Sequence, residues 1–249
     1  MIDDIIVYGL FASLIAGLST GAGALPILFV KRVSDRLLDV MMGFAAGVML
    51  AASSFGLLIP AIELGGVWVA VIGLAMGAVL IHLIDRFAPH FHFISGKEGS
   101  STNLAKIWLF IIAITIHNFP EGLAVGVSFG GGDVARGLVI ATAIGLQNIP
   151  EGLAVAFPLV RENYSRLKAL GYATLTGLVE PVGGLIGSAL VSFAQPILPW
   201  GLAFAAGTMI FVVSDEMIPE SHRKGFEREA TLGLIFGFLV MMLLDNILA

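Results

Sequence analysis

Eight long apolar stretches, separated by short charged breaks, leave this chain few ways to fold. They run approximately over Ile5–Val30, Leu37–Ala61, Val67–Ile84, Leu104–Phe129, Val134–Val160, Leu167–Phe193, Pro199–Pro219 and Ala230–Leu248. A helix needs roughly 20 apolar residues to cross a hydrocarbon core of about 30 Å, and each stretch is close to that length. Of the 249 residues, 57% are hydrophobic and only 12% charged, against roughly 25% charged in an average soluble domain. The expected fold is an all-α membrane protein of eight transmembrane helices, one polytopic domain over residues 1–249 with a cytoplasmic loop at about 87–104. Cysteine is absent, which excludes disulfides, thiolate metal sites and a cysteine nucleophile. The acidic start, Met1-Ile2-Asp3-Asp4-Ile5, has no basic region before its apolar stretch, so no removable signal peptide is expected. A net charge of -5 and the lack of a basic aromatic patch give no reason to expect a nucleic-acid partner.

The charged breaks orient the spans. Lys31, Arg32 and Arg36, then Arg86, Lys97 and Lys106, then Arg161, Arg166 and Lys168, then Arg223, Lys224 and Arg228 fall on one side, and only Arg136 on the other. The side richer in Lys and Arg faces the cytoplasm. Both termini are therefore expected outside it.

Two internal repeats organise the spans. His117-Asn118-Phe119-Pro120-Glu121-Gly122-Leu123-Ala124-Val125 in the fourth returns in the fifth as Gln147-Asn148-Ile149-Pro150-Glu151-Gly152-Leu153-Ala154-Val155. Phe44-Ala45-Ala46-Gly47-Val48-Met49 in the second span is echoed by Phe204-Ala205-Ala206-Gly207-Thr208-Met209 in the seventh, and Ile59-Pro60 by Ile218-Pro219. Each repeat relates spans of opposite direction. The expected plan is an inverted 3+2+3 arrangement, spans 1–3 and 6–8 around an antiparallel pair 4–5, a design that recurs in secondary transporters with the substrate site at the midplane. Glycines at four-residue spacing, such as Gly17 and Gly21 or Gly43 and Gly47, are packing devices that let helices approach in lipid.

Polar side chains converge at one depth. His117, Gln147 and Glu180 each lie about twelve or thirteen residues into their spans, near the bilayer centre at 1.5 Å per residue. Residues three and four apart share a helix face, so His117, Asn118 and Glu121 form one cluster and Gln147, Asn148 and Glu151 another. Pro120, Pro150 and Pro181 each lack an N–H and free the carbonyls of Ile116, Leu146 and Gly177. Such groups are tolerated at membrane depth where they line a cavity or bind a ligand.

An acidic residue at a helix centre costs roughly 2.5–3.5 kcal/mol on an insertion scale, and no Lys or Arg shares the depth of Glu121, Glu151 and Glu180. Protons or a bound cation are left to neutralise them. Imidazole and carboxylate suit Zn²⁺ and similar first-row divalent ions. A purely structural network of carboxylic acids with Asn and Gln, and a proton relay, are the competing readings of the same residues.

The strings HNFPEG and QNIPEG, with Val179-Glu180-Pro181 in the sixth span, resemble the ZIP (Zrt- and Irt-like) family of divalent-metal transporters, and in particular its compact bacterial branch. The resemblance covers nearly the whole chain. It implies a first metal centre of His117, Glu121, Gln147 and Glu151, with Met49 as an additional contact or as ordinary packing. It implies a second, adjacent centre of Asn118, Asn148 and Glu180, bridged by Glu121 and Glu151, so that the site would be binuclear. Close bacterial relatives can carry Asp where Asn148 stands here, which removes a negative charge from the second centre.

By the same resemblance, Glu63 and Asp245 match positions that attract cations at the entrance, although solvated helix ends explain them equally well. Asp215 and Glu216, about a turn from the end of the seventh span, resemble family residues that receive metal on release, and Asp85, His90, His92 and His222 can be arranged with them along a route toward the cytoplasm. His82 could share the face of Asp85 but reads better as a packing histidine. The implied protein carries Zn²⁺, with Cd²⁺, Fe²⁺ and Mn²⁺ as further candidates, into the cytoplasm across a bacterial inner membrane by alternating access. It would work as a homodimer in the lipid bilayer, with spans 1, 4, 5 and 6 moving past 2, 3, 7 and 8.

Two other classes compete. An intramembrane metal-dependent hydrolase would use a metal-bound water, but neither H-E-x-x-H nor G-x-S-x-G occurs, and only His117 lies at the midplane. A non-transporting metal sensor would need no trail of carboxylates from face to face. No enzyme is expected.

Overall fold

The computed structural model describes residues 2–30, 33–87 and 103–248. Among them there is no strand. The helices are α1 (Ile2–Ala24), α2 (Asp35–Ala51), α3 (Ile59–Phe87), α4 (Asn103–Gly130), α5 (Val134–Arg161), α6 (Arg166–Gly177), α7 (Glu180–Phe193), α8 (Leu198–Val212), α9 (Ile218–Ser221) and α10 (Glu227–Leu248). Ser34, Asp133 and Ser165 cap α2, α5 and α6, each side chain accepting the backbone N–H three residues on.

Seven segments of the described residues are long and apolar enough to cross a membrane. One of them, Asp35–Ile84, is 50 residues long, more than twice a single crossing. Within it Gly66 has φ 79° and ψ 167°, a conformation that breaks the helix and that glycine adopts without a Cβ penalty.

Two π-helical segments lie at related places. Ala52–Leu58 joins α2 to α3, and Val213–Met217 joins α8 to α9; each is followed directly by Ile-Pro. Proline cannot donate the backbone bond that a regular helix would ask of it, and a wider π-turn absorbs the mismatch. The repeated sequence thus folds into a repeated irregularity.

Helices pair where small residues allow backbone contact. α2 packs along α10 and α3 along α8, while α1 packs along α5 and α4 along α7. A Cβ on Gly47 would run into the backbone of Leu234, and one on Gly237 into that of Phe44, so α2 and α10 are glycine-lined from both sides. One group of helices is therefore α2, α3, α8 and α10, the other α1, α4, α5, α6 and α7. They meet where α2 faces α5 and α4 faces α8. The apolar core along this seam includes Ala45, Met49, Ala124, Ile140, Ile144 and Met209.

Candidate metal centre

All seven polar residues of the paired motifs and the sixth apolar stretch are buried. His117 is 4% exposed and Asn118, Glu121, Gln147, Asn148, Glu151 and Glu180 are 1% or less. α4 and α5 run through Pro120 and Pro150 without interruption. The stretch around Pro181 does not: α6 ends at Gly177 and α7 begins at Glu180. Glu180 therefore sits at the N-terminus of α7, where the helix dipole favours a negative charge.

The side chains are held in pairs across helices. Gln147 Nε2 donates to Glu121 Oε1 at 2.7 Å and ties one motif copy to the other. Asn148 Nδ2 donates to Glu180 Oε1 at 2.6 Å and to the Ala16 carbonyl at 2.8 Å, which brings α1 into the site. The Ala16 carbonyl can only accept, so the Asn148 NH₂ must face it and its Oδ1 must face away.

Close approach by glycine makes these bonds geometrically feasible. A Cβ on Gly122 would lie 2.6 Å from Glu180 Cα, so the start of α7 reaches α4 only because that position is bare. Gly17 on α1 likewise meets the backbone of Gly177, where α6 ends.

Every one of the seven side chains still carries a buried N or O without a hydrogen-bond partner among the described residues: His117 Nδ1, both polar atoms of Asn118, Glu121 Oε2, Gln147 Oε1, Asn148 Oδ1, Glu151 Oε1 and Glu180 Oε2. An orphaned buried polar atom costs roughly 1–3 kcal/mol, and most buried polar atoms in proteins are paired. Their collection in one place is chemical capacity for a ligand that accepts N and O donors. Among the described residues no three His, Asp or Glu side chains are drawn into a ready-made shell. The donors stand close but are parted by the amide–carboxylate pairs, which a cation would have to rearrange.

The remaining residues singled out in the sequence fall as follows. Met49 is 1% exposed in the apolar core. Glu63 is exposed on α3, and the half-buried Asp245 turns Oδ1 toward Gly56 in the first π-segment. Glu216, half-buried in the second π-segment, has its Oε1 2.8 Å from His117 Nε2. His222 is held locally, Nδ1 against the Ile218 carbonyl at 2.8 Å and Nε2 against Thr231 Oγ1 at 3.1 Å. His82 is exposed on α3 and packs edge-on against Phe211, the packing role expected of it. His90, His92 and the side chain of Asp85 lie outside the described residues. The Ala16 carbonyl was not legible in the sequence, because any backbone carbonyl of α1 looks alike there.

A multi-pass helical membrane protein with a polar, carboxylate-rich centre buried between its helices is what the fold and site define. The family model described as ZIP Zinc transporter matches residues 94–245. The zinc transporter GufA of Myxococcus xanthus is 46% identical over 248 residues, which cover 95% of this chain and 97% of that protein. The zinc transporter ZIPB of Bordetella bronchiseptica is 41% identical over 240 residues, 92% of this chain and 78% of that protein. The human zinc transporter ZIP11 is 36% identical, with 91% and 93% covered. The chain belongs to the ZIP family, in its compact bacterial branch.

Proposed function

We propose that this protein moves a divalent metal ion, Zn²⁺ first and Cd²⁺, Fe²⁺ and Mn²⁺ as further candidates, into the cytoplasm by alternating access. The observation that carries the reading is the buried set of unpartnered donor atoms on His117, Asn118, Glu121, Gln147, Asn148, Glu151 and Glu180. Imidazole, amide and carboxylate donors fit such ions, and three carboxylates at membrane depth are costly without a positive partner. That GufA, ZIPB and ZIP11 are named zinc transporters supports it. Membership of a family of transporters also speaks against the hydrolase and sensor readings.

The first centre is assigned to His117, Glu121, Gln147 and Glu151, with Met49 beside it, and the second to Asn118, Asn148 and Glu180, with Glu121 and Glu151 shared. Eight spans in an inverted 3+2+3 plan accommodate the helix break at Gly66. The matching pairs α2–α10 with α3–α8, and α1–α5 with α4–α7, favour that symmetry. In this plan the group of α1, α4, α5, α6 and α7 carries the metal past the other. Glu63 and Asp245 serve the entrance, and Glu216, with Asp215, receives the ion from His117. Asp85, His90 and His92 are assigned to the same release route, and His222 would have to give up a local hydrogen bond to join it. The working unit is a homodimer in a bacterial inner membrane, with both termini outside the cytoplasm.

Uptake into proteoliposomes of purified protein, read with a luminal indicator dye for each of the four ions in turn, tests the proposal. Zinc flux down its gradient is expected; no flux of any of them contradicts it.

A further inference from the structure

One buried hydroxyl beside the metal centre is left without a hydrogen bond. Thr20 on α1 is fully buried, and its Oγ1 has no partner among the described residues. Every other described serine or threonine that is 3% exposed or less donates to a carbonyl of its own helix: Ser13, Ser53, Ser128 and Ser188 to the one four residues back, Thr176, Thr208 and Ser221 to the one three back, all at 2.7 or 2.8 Å. Such back-bonding is how a helix buries a hydroxyl without orphaning it.

The exception has a local cause. The carbonyl four residues before Thr20 is that of Ala16, and it accepts Asn148 Nδ2 at 2.8 Å. Inside α1 one lone pair of that carbonyl serves the helix itself, so Asn148 takes the other. The Thr20 hydroxyl lies instead toward the end of α6, where a Cβ on Gly177 would be 2.8 Å from Oγ1. Thr20 and Asn148 thus share one acceptor, and in this structure Asn148 holds it. An orphaned buried hydroxyl is costly; a valine would fill the same space without that cost.

Resting on the transport reading above, we propose that Thr20 is a positioning residue that takes over the Ala16 carbonyl when Asn148 turns to the metal ion. Asn148 shows Glu180 its NH₂, with Nδ2 2.6 Å from Glu180 Oε1. An amide offers a cation its oxygen, because the NH₂ only donates. For Asn148 and Glu180 to hold one ion, Oδ1 must turn to the side of Glu180, and Nδ2 then leaves both Glu180 and Ala16. Rotation about χ1 brings the Thr20 hydroxyl onto the Ala16 carbonyl, the bond that helical threonine commonly makes. The exchange keeps the Ala16 carbonyl bonded and gives the hydroxyl the partner it lacks, so Thr20 favours the loaded site over the empty one.

Zinc titrated into the full chain in nanodiscs, in competition with a chelating indicator, tests the exchange. The second zinc equivalent should bind about three- to tenfold more weakly to Thr20→Val than to the wild type, the size of one hydrogen bond, and Thr20→Ser should restore it. In the Asn148→Asp background the side chain still offers oxygen but has no NH₂, so Thr20 bonds the Ala16 carbonyl with and without metal, and adding Thr20→Val should leave zinc affinity unchanged. Without metal, Thr20→Val alone should melt no lower than the wild type, since the hydroxyl makes no bond in the empty site. Unchanged affinity in Thr20→Val, no recovery in Thr20→Ser, equal weakening in the Asn148→Asp background, or a lower metal-free melting temperature overturns the proposal. A wild type that binds one zinc and no second removes Asn148 as a ligand and overturns the exchange while transport stands; one that binds no zinc overturns the transport reading itself.

Discussion

Nε2 of His117 lies 2.8 Å from Oε1 of Glu216, so the imidazole of α4 is bound to a carboxylate in the π-helical segment between α8 and α9. The bond crosses from one group of helices to the other. His117 belongs to the motif of buried donors, whereas Glu216 lies in the segment that leads into α9.

Glu216→Ala is therefore expected to leave zinc bound at the α4–α5 centre and to slow uptake about tenfold or more, since a hydrogen bond to a charged group is worth about 1.5–3 kcal/mol. Equilibrium dialysis and proteoliposome uptake, measured on the same preparation, check the two halves. Wild-type uptake in the variant would remove Glu216 from the route.

The helix content and the burial of the paired motifs were legible in the sequence because both follow from local rules: apolar length makes a span, and i, i+3, i+4 spacing places His117, Asn118 and Glu121 together. The position of Glu216 was not. A π-turn adds a residue without adding a turn, which rotates everything after it by roughly 100° against the regular helical period. The bond from Asn148 to the Ala16 carbonyl was illegible for a different reason, since it joins residues far apart in the chain and depends on how closely the α1 and α5 backbones approach. The break before Glu180 was half visible: Pro181 announced a disturbed helix, but not that Glu180 would begin a new one.

Gly122 and Gly171 should separate close packing from mere flexibility. A Cβ at Gly122 meets the backbone of Glu180, while one at Gly171 has nothing within 4 Å. Overpacking costs about 1–3 kcal/mol, so Gly122→Ala should unfold at a lower temperature in detergent and lose uptake, and Gly171→Ala, which gains helix propensity, should match the wild type or exceed it. Equal melting of the two variants would mean that α7 does not depend on Gly122.

Protons and metal compete for the same atoms. Carboxylate and imidazole must be deprotonated to bind metal, so acid favours the proton and uptake should fall as pH is lowered from 8 to 5. Initial rates at fixed free zinc read this directly. A rate independent of pH over that window would speak against Glu121, Glu151 and His117 as ligands.

The absence of native cysteine makes topology easy to read. By the distribution of Lys and Arg, Gln195→Cys should react with an impermeant maleimide in intact cells, and Glu227→Cys only after lysis. The reverse pattern would invert the protein and the direction assigned to its transport.

Glu121 and Glu151, one from each motif copy, are the carboxylates shared by both proposed centres and are each 1% exposed. Zinc uptake by wild-type protein beside Glu121→Ala and Glu151→Ala, in proteoliposomes matched for protein content, tests that assignment most directly. Uptake by the wild type and its near-complete loss in both variants is the predicted result; variants that carry zinc at the wild-type rate would contradict it.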